Sequence, residues 1–136
     1  MTLQAQLMRD EGLRLYPYAD TAGKLTIGVG RNLTDVGISR VEAMALLSND
    51  IEATTQTLET AFPWTLGMDE VRMGVLINMA FNMGVVGLAQ FKKFLAAVQQ
   101  GDWQQARAEM LDSAWAEQVG SRAQRLAIQI ESGEWQ

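Results

Sequence analysis

The apolar positions change period twice along the chain, and each change marks a new kind of element. From Leu3 to Glu11, apolar residues at Leu3, Leu7 and Met8 recur at helical spacing, and Gly12 supplies a stop. The next stretch, LRLYPYADTAGKLTIGVG, alternates instead, with Leu25, Ile27 and Val29 on one parity and Thr26, Gly28 and Gly30 on the other. It predicts a β-hairpin followed by a short third strand near Arg31 to Leu33. Within it, Asp20-Thr21-Ala22-Gly23 has Asp first and Gly fourth, the pattern of a type I turn. At Ser39 the helical period returns. Ser39 and Glu42 have the spacing of a capping box, Val41, Met44, Leu47, Ile51 and Leu58 supply an apolar stripe, and Pro63 bounds the helix. Asp69 to Met83 is apolar almost all round, which predicts a central buried helix ended by Gly84. Shorter helices are expected at about Leu88 to Gln99, Asp102 to Leu111, Ser113 to Gln118 and Ser121 to Glu131, with Asp102 and Gln105 as a second capping box and Ser113 as an N-cap. A helix, a small sheet, then helices only is the order of an α+β fold.

Composition narrows the chemistry. The 136 residues suit one domain of ordinary soluble make-up, 48% hydrophobic and 20% charged. There is no Cys and no His. Disulfides and thiolate metal sites are excluded, and no metal or cofactor is expected. Acid–base work near neutral pH must fall to carboxylates, or to Lys or Tyr. The net charge of -5 argues against a nucleic-acid partner. The run from Met73 to Met79, interrupted by Gly74 and Asn78, is too short for membrane insertion. The start, MTLQAQLMRDEG, has no charged segment leading into an apolar run. A monomer made in the cytoplasm without a signal peptide is expected.

Among the carboxylates, Glu11 closes the first helix, where the negative end of the helix dipole disfavours ionisation, as a general acid requires. A solvated surface Glu beside Arg9 and Arg14 is the plainer reading of that position. Asp20 lies at a turn, a polar setting that keeps a carboxylate ionised, although Asp there needs no function. Thr26, Gly28 and Gly30 share a strand face with almost no side-chain bulk, which fits close approach by a ligand or a tight bend equally well. Asn78, in the most apolar helix, is expected to be buried, tying helices together or supporting a cleft wall. The eight Met and four Trp residues fall mostly at helical spacing and read as core.

Taken together, DEGLRLYPYADTAGKLTIGVG resembles the N-terminal signature of phage-type lysozymes, glycoside hydrolase family 24: an acid followed by Gly at a helix end, then Y-x-D-x-x-G-x-x-T-I-G-x-G. INMAFNMG and the pair Arg122 and Arg125 in SRAQR resemble further blocks of that family in the right order. The resemblance implies a lysozyme-like fold with a cleft. A small β lobe would occupy about 12–38 and a connecting helix about 39–62. A helical lobe would take 1–11 and about 64–136. It implies hydrolysis of the β-1,4 bond between N-acetylmuramic acid and N-acetylglucosamine in peptidoglycan, by an enzyme that reaches the wall after release. Glu11 would be the general acid, Asp20 the second carboxylate, and Thr26 a hydroxyl placing the attacking water. Gly28, Gly30, Asn32, Phe81 and Asn82 would line the sugar cleft, and Arg122 would stand near Glu11. Where the family often has His after Gly-x-Gly, this chain has Arg31, and an Arg31–Asp50 ion pair is the expected counterpart. The alternatives are a binding module that grips glycan or a partner without cutting, and chitinase-like or lytic transglycosylase activity. The presence of Glu11, Asp20 and Thr26 counts against the first, and a water site at Asp20 and Thr26 counts against transglycosylation, which uses no water.

Overall fold

A computed structural model describes all residues, 1–136. The chain forms two compact units, Met1–Leu47 and Ser48–Gln136. The first holds helix α1 (Leu3–Glu11) and strands β1 (Arg14–Ala19), β2 (Leu25–Gly28) and β3 (Arg31–Asn32), paired antiparallel in the order β1-β2-β3. Helix α2 (Arg40–Ala61) starts in this unit and runs into the next. The second unit continues with α3 (Glu70–Leu88), α4 (Lys92–Gln100), α5 (Trp103–Leu111), α6 (Ala114–Val119) and α7 (Ser121–Ser132). Helix α1 falls within the first unit.

Local chemistry explains the element ends. The Thr2 hydroxyl accepts from the Ala5 N–H at 3.1 Å to open α1, and Gly12, at φ +79°, closes it with its N–H on the Met8 carbonyl. The predicted turn is present: the Gly23 N–H meets the Asp20 carbonyl at 3.0 Å, with Gly23 at φ +78°. The register shifts between the Arg14–Gly28 and Tyr18–Thr26 pairs, in the stretch that holds Pro17. Proline cannot donate to the ladder, and β1 is an edge strand that tolerates it. The Ser39–Glu42 capping box forms in full, with both reciprocal bonds at 2.9 and 3.1 Å.

Other expectations needed correction. Asp102 caps α5 by accepting from the Gln105 N–H, but the Gln105 amide turns forward to Glu109 and leaves the box half made. Of the apolar stripe on α2, only Leu58 is buried. A 3-10 turn over Pro63–Gly67 was not foreseen. Gly84 breaks the helical backbone as expected (φ 76°, ψ 161°), yet α3 adds one more turn that delivers the fully buried Leu88 to the core. Helix α4 therefore starts at Lys92 rather than Leu88. Helix α3 is long and apolar enough to cross a membrane by composition alone. Its Met73, Val75, Leu76 and Met79 instead form the core, with Phe94, Met110 and Ile130.

Arg72 locks this core together. From α3 its Nε donates to the Ile130 carbonyl at 2.7 Å and its second terminal nitrogen to the Glu131 carbonyl at 2.8 Å. These carbonyls lie in the last turn of α7, where no helical N–H remains to satisfy them. The guanidinium also lies 4.2 Å from the Trp103 ring centroid on α5. The buried Gln129 adds a bond from Nε2 to the Val71 carbonyl at 2.8 Å. Replacing Arg72 by Met should cost about 2–4 kcal/mol in urea unfolding, since two charge-assisted bonds and a stacked cation vanish together. Lys at this position should recover less than half of the loss, because a point charge cannot serve two carbonyls and a ring at once.

Candidate active site

The three proposed catalytic residues all belong to the first unit, and two of them meet the main chain of one residue, Lys24. Asp20 Oδ1 accepts from the Lys24 N–H at 2.8 Å and from the Ala22 N–H at 2.9 Å. The Asp20 N–H donates to the Lys24 carbonyl at 2.9 Å, and the Thr26 hydroxyl donates to that same carbonyl at 2.9 Å. The backbone of Lys24 thus fixes both the carboxylate and the hydroxyl. Asp20 is half-buried, and its Oδ2 makes no hydrogen bond within the chain. Thr26 is buried, only 4% exposed, so the open face expected from the small residues of β2 is closed at this position. Across the sheet Thr26 pairs with Tyr18 on one side and Asn32 on the other.

Glu11, at the exposed end of α1, meets the sheet at a glycine. A Cβ built on Gly30 would lie 3.1 Å from Glu11 Oε2, and Gly30 sits at φ +69°. Only glycine suits that backbone angle and that contact together. The arginines beside Glu11 in sequence are engaged elsewhere: Arg9 pairs with Asp10 at 2.8 Å, and Arg14 lies 4.3 Å from the Tyr18 ring centroid. Gly28, paired with Arg14, also has a positive φ, +71°. The Asn32 amide is spent on the following turn, donating to Asp35 Oδ2 at 2.9 Å and accepting from the Asp35 N–H at 3.0 Å.

The remaining candidates stand on the second unit. Asn78 is exposed rather than buried, because its place on α3 faces away from the apolar stripe; its Oδ1 accepts from Arg122 Nε at 2.8 Å, and its carbonyl accepts from the same guanidinium at 3.0 Å. It ties α3 to α7. The Asn82 Oδ1 accepts from Trp115 Nε1 at 2.8 Å, and Phe81 is exposed. No sequence signal announced the Trp115 partnership, since the two residues lie far apart in the chain.

Arg31 does not pair with Asp50. One guanidinium nitrogen donates to Glu42 Oε1 at 2.8 Å and to the Gly37 carbonyl at 3.2 Å. Glu42 lies in the first turn of α2, eight residues before Asp50, roughly 12 Å along the helix axis. The capping box already orients its carboxylate, which the Ser39 N–H also meets. The bond from Arg31, then those from Ser39, hold the Glu42 carboxyl down at about 2, and the same bond raises the Arg31 guanidinium further above its usual range.

The three-stranded sheet followed by helices alone is an α+β fold of the lysozyme type. The chain belongs to the phage lysozyme family, whose model matches residues 8–129, and it is a glycoside hydrolase. Over 98% of its length it is 32% identical to the pre-baseplate central spike protein Gp5 of Enterobacteria phage T4, of which it spans 28%. It is 29% identical to the probable T4-type lysozyme 1 of Dictyostelium discoideum, covering 97% of this chain and 95% of that protein. An endolysin of Acyrthosiphon pisum secondary endosymbiont phage 1 is 31% identical over 85% of this chain and 80% of its own length.

The Glu42 shift fixes a pH dependence. A carboxyl depressed from 4.5 to about 2 in the fold stabilises the protein fully above 4.5. That contribution drains away as pH falls from 4.5 towards 2, because the unfolded chain takes up the proton first. The melting temperatures of wild type and Glu42→Gln should differ by a constant amount above pH 5 and converge near pH 2. A gap that persists at pH 2 would show that the carboxylate charge is not its source.

Proposed function

We propose that this protein cleaves the β-1,4 bond between N-acetylmuramic acid and N-acetylglucosamine in peptidoglycan, with inversion at the anomeric carbon. The observation that carries the mechanism is the Lys24 main chain, whose N–H holds the Asp20 carboxylate and whose carbonyl accepts from the Thr26 hydroxyl. The Thr26 proton is committed to the Lys24 carbonyl, leaving the oxygen lone pairs free to accept a bond from water. Asp20 Oδ2, free of internal bonds, accepts the other water proton. As the water oxygen bonds to the anomeric carbon, the bond to the leaving oxygen breaks, and that oxygen takes the proton of Glu11. Gly28, Gly30, Asn32, Phe81 and Asn82 are assigned to the glycan, with Asn78 holding Arg122 in a supporting role. The protein acts as a monomer on the wall after release from the cytoplasm.

Glu11→Gln should fold normally and lose at least about 100-fold in wall hydrolysis, the usual worth of a general acid. Residual activity above roughly a tenth of wild type would overturn the assignment. Proton NMR of the first product should show the α-anomer before mutarotation; an initial β-anomer would point to a covalent or substrate-assisted route instead.

A second reading concerns where this chemistry is deployed. The match to a central spike protein, of which this chain spans 28%, favours a wall-cutting module carried within a larger particle. The match across 95% of a T4-type lysozyme favours a free enzyme. Sedimentation of the native protein from its source separates the two.

A further inference from the structure

The Glu11 carboxyl makes no hydrogen bond within the first unit; what locates it there is a wall, the backbone of Gly30. Gly30 closes the three-residue loop between the paired residues Ile27 and Arg31. Such a loop, with positive φ at Gly28 and Gly30, has little side-chain packing to hold it. Its anchor is the next residue. The Arg31 guanidinium spans from β3 to the Gly37 carbonyl and to Glu42 Oε1. The receiving carboxylate is immobilised in turn by the Ser39 N–H, while the Ser39 hydroxyl accepts from the Glu42 N–H.

We propose that Arg31 is a positioning residue for the general acid: it fastens the Gly28–Gly30 loop, against which the Glu11 carboxyl rests, to the first turn of α2. The proposal rests on the reading of Glu11 as the acid. An isolated ion pair with side chains 37% and 42% exposed would do little. Here one guanidinium nitrogen meets a carbonyl and a pre-oriented carboxylate, so the link is geometric as well as electrostatic. The other charged groups of the sheet are engaged elsewhere, Lys24 with Asp35 at 3.2 Å and Arg14 over Tyr18. Glu42 is the partner that decides where Arg31 lies. A displacement of the loop by a fraction of an ångström shifts the acid relative to the glycosidic oxygen, and catalysis is sensitive to such shifts while binding is not.

The test is a double-mutant cycle on soluble peptidoglycan oligomers, with kcat, KM and melting temperature measured for Arg31→Met, Glu42→Gln and the pair, and Arg31→Lys as the conservative variant. Arg31→Met should lower kcat at least about fivefold with KM within twofold. Glu42→Gln should reproduce that loss, and the double variant should add little to either. Arg31→Lys should regain at least half of the lost kcat. All measurements are made at a temperature where every variant is folded. An unchanged kcat, a change confined to KM, independent losses from the two single variants, or a Lys variant as poor as Met would overturn the proposal. Glu11→Gln, assayed alongside, keeps the two readings apart. If it stays active, the acid assignment fails; if it is inactive while Arg31→Met matches wild type, only the positioning role fails.

Discussion

A helix runs out of donors at its C-terminus, and the helical unit of this protein is organised around that shortage. Helix α7 ends in carbonyls that no turn of its own can satisfy, and Arg72 of α3 reaches them while laying its flat face on Trp103 of α5. One side chain therefore sets the spacing of three helices. Gly133, just beyond, must remain a glycine in the left-handed region, since a Cβ there would come within 3.0 Å of the Arg72 guanidinium. The buried Val75, Leu76, Met79 and Ile130 supply the bulk of the driving force, but apolar burial has no preferred direction. The charged clamp selects one arrangement among the many that would hide the same surface.

The first unit solves a different problem with fewer resources. Its sheet has three strands, one of only two residues, and helix α1 buries none of its side chains. It relies on bonds between neighbours in sequence: the Asp20 turn, the Asn32–Asp35 turn and the Ser39–Glu42 box. Each tightens a few residues, and their sum fixes the sheet whose β2–β3 loop meets Glu11 at Gly30. The two units also differ in charge. The first carries five basic and five acidic side chains, whereas the second carries six and eleven, so the whole net charge of the protein resides on the helical unit.

How far the sequence foretold this depends on the range of each interaction. The type I turn at Asp20, the caps at Ser39, Asp102 and Ser113, and the stop at Gly12 were legible because all the groups involved lie within four residues. The α+β order followed from hydrophobic period alone. The choice of Glu42 over Asp50 by Arg31 was not legible, since both are acids on the same helix and only the path of residues 33–39 decides between them. The exposure of Asn78 was misjudged because a helix apolar in composition still has a face. The partnership of Asn82 with Trp115 was invisible, as it spans α3 and α6. The candidate site was visible as a set of residue types at family spacing. That Asp20 and Thr26 meet through the main chain of Lys24 was not.

That last feature separates two properties usually tied together at one position. The main chain of residue 24 is indispensable to the proposed water site, while its side chain points to Asp35 and takes no part in the contacts with Asp20 or Thr26. Any residue that has a main-chain N–H and adopts the same backbone keeps those three bonds, so the ammonium tip can be exchanged without touching the proposed chemistry. Position 24 is therefore a natural attachment point for a fluorophore or a crosslinker in a protein that otherwise has no cysteine. A single thiol placed there would sit beside the two residues proposed to hold the water, with no competing site for the label anywhere else in the chain.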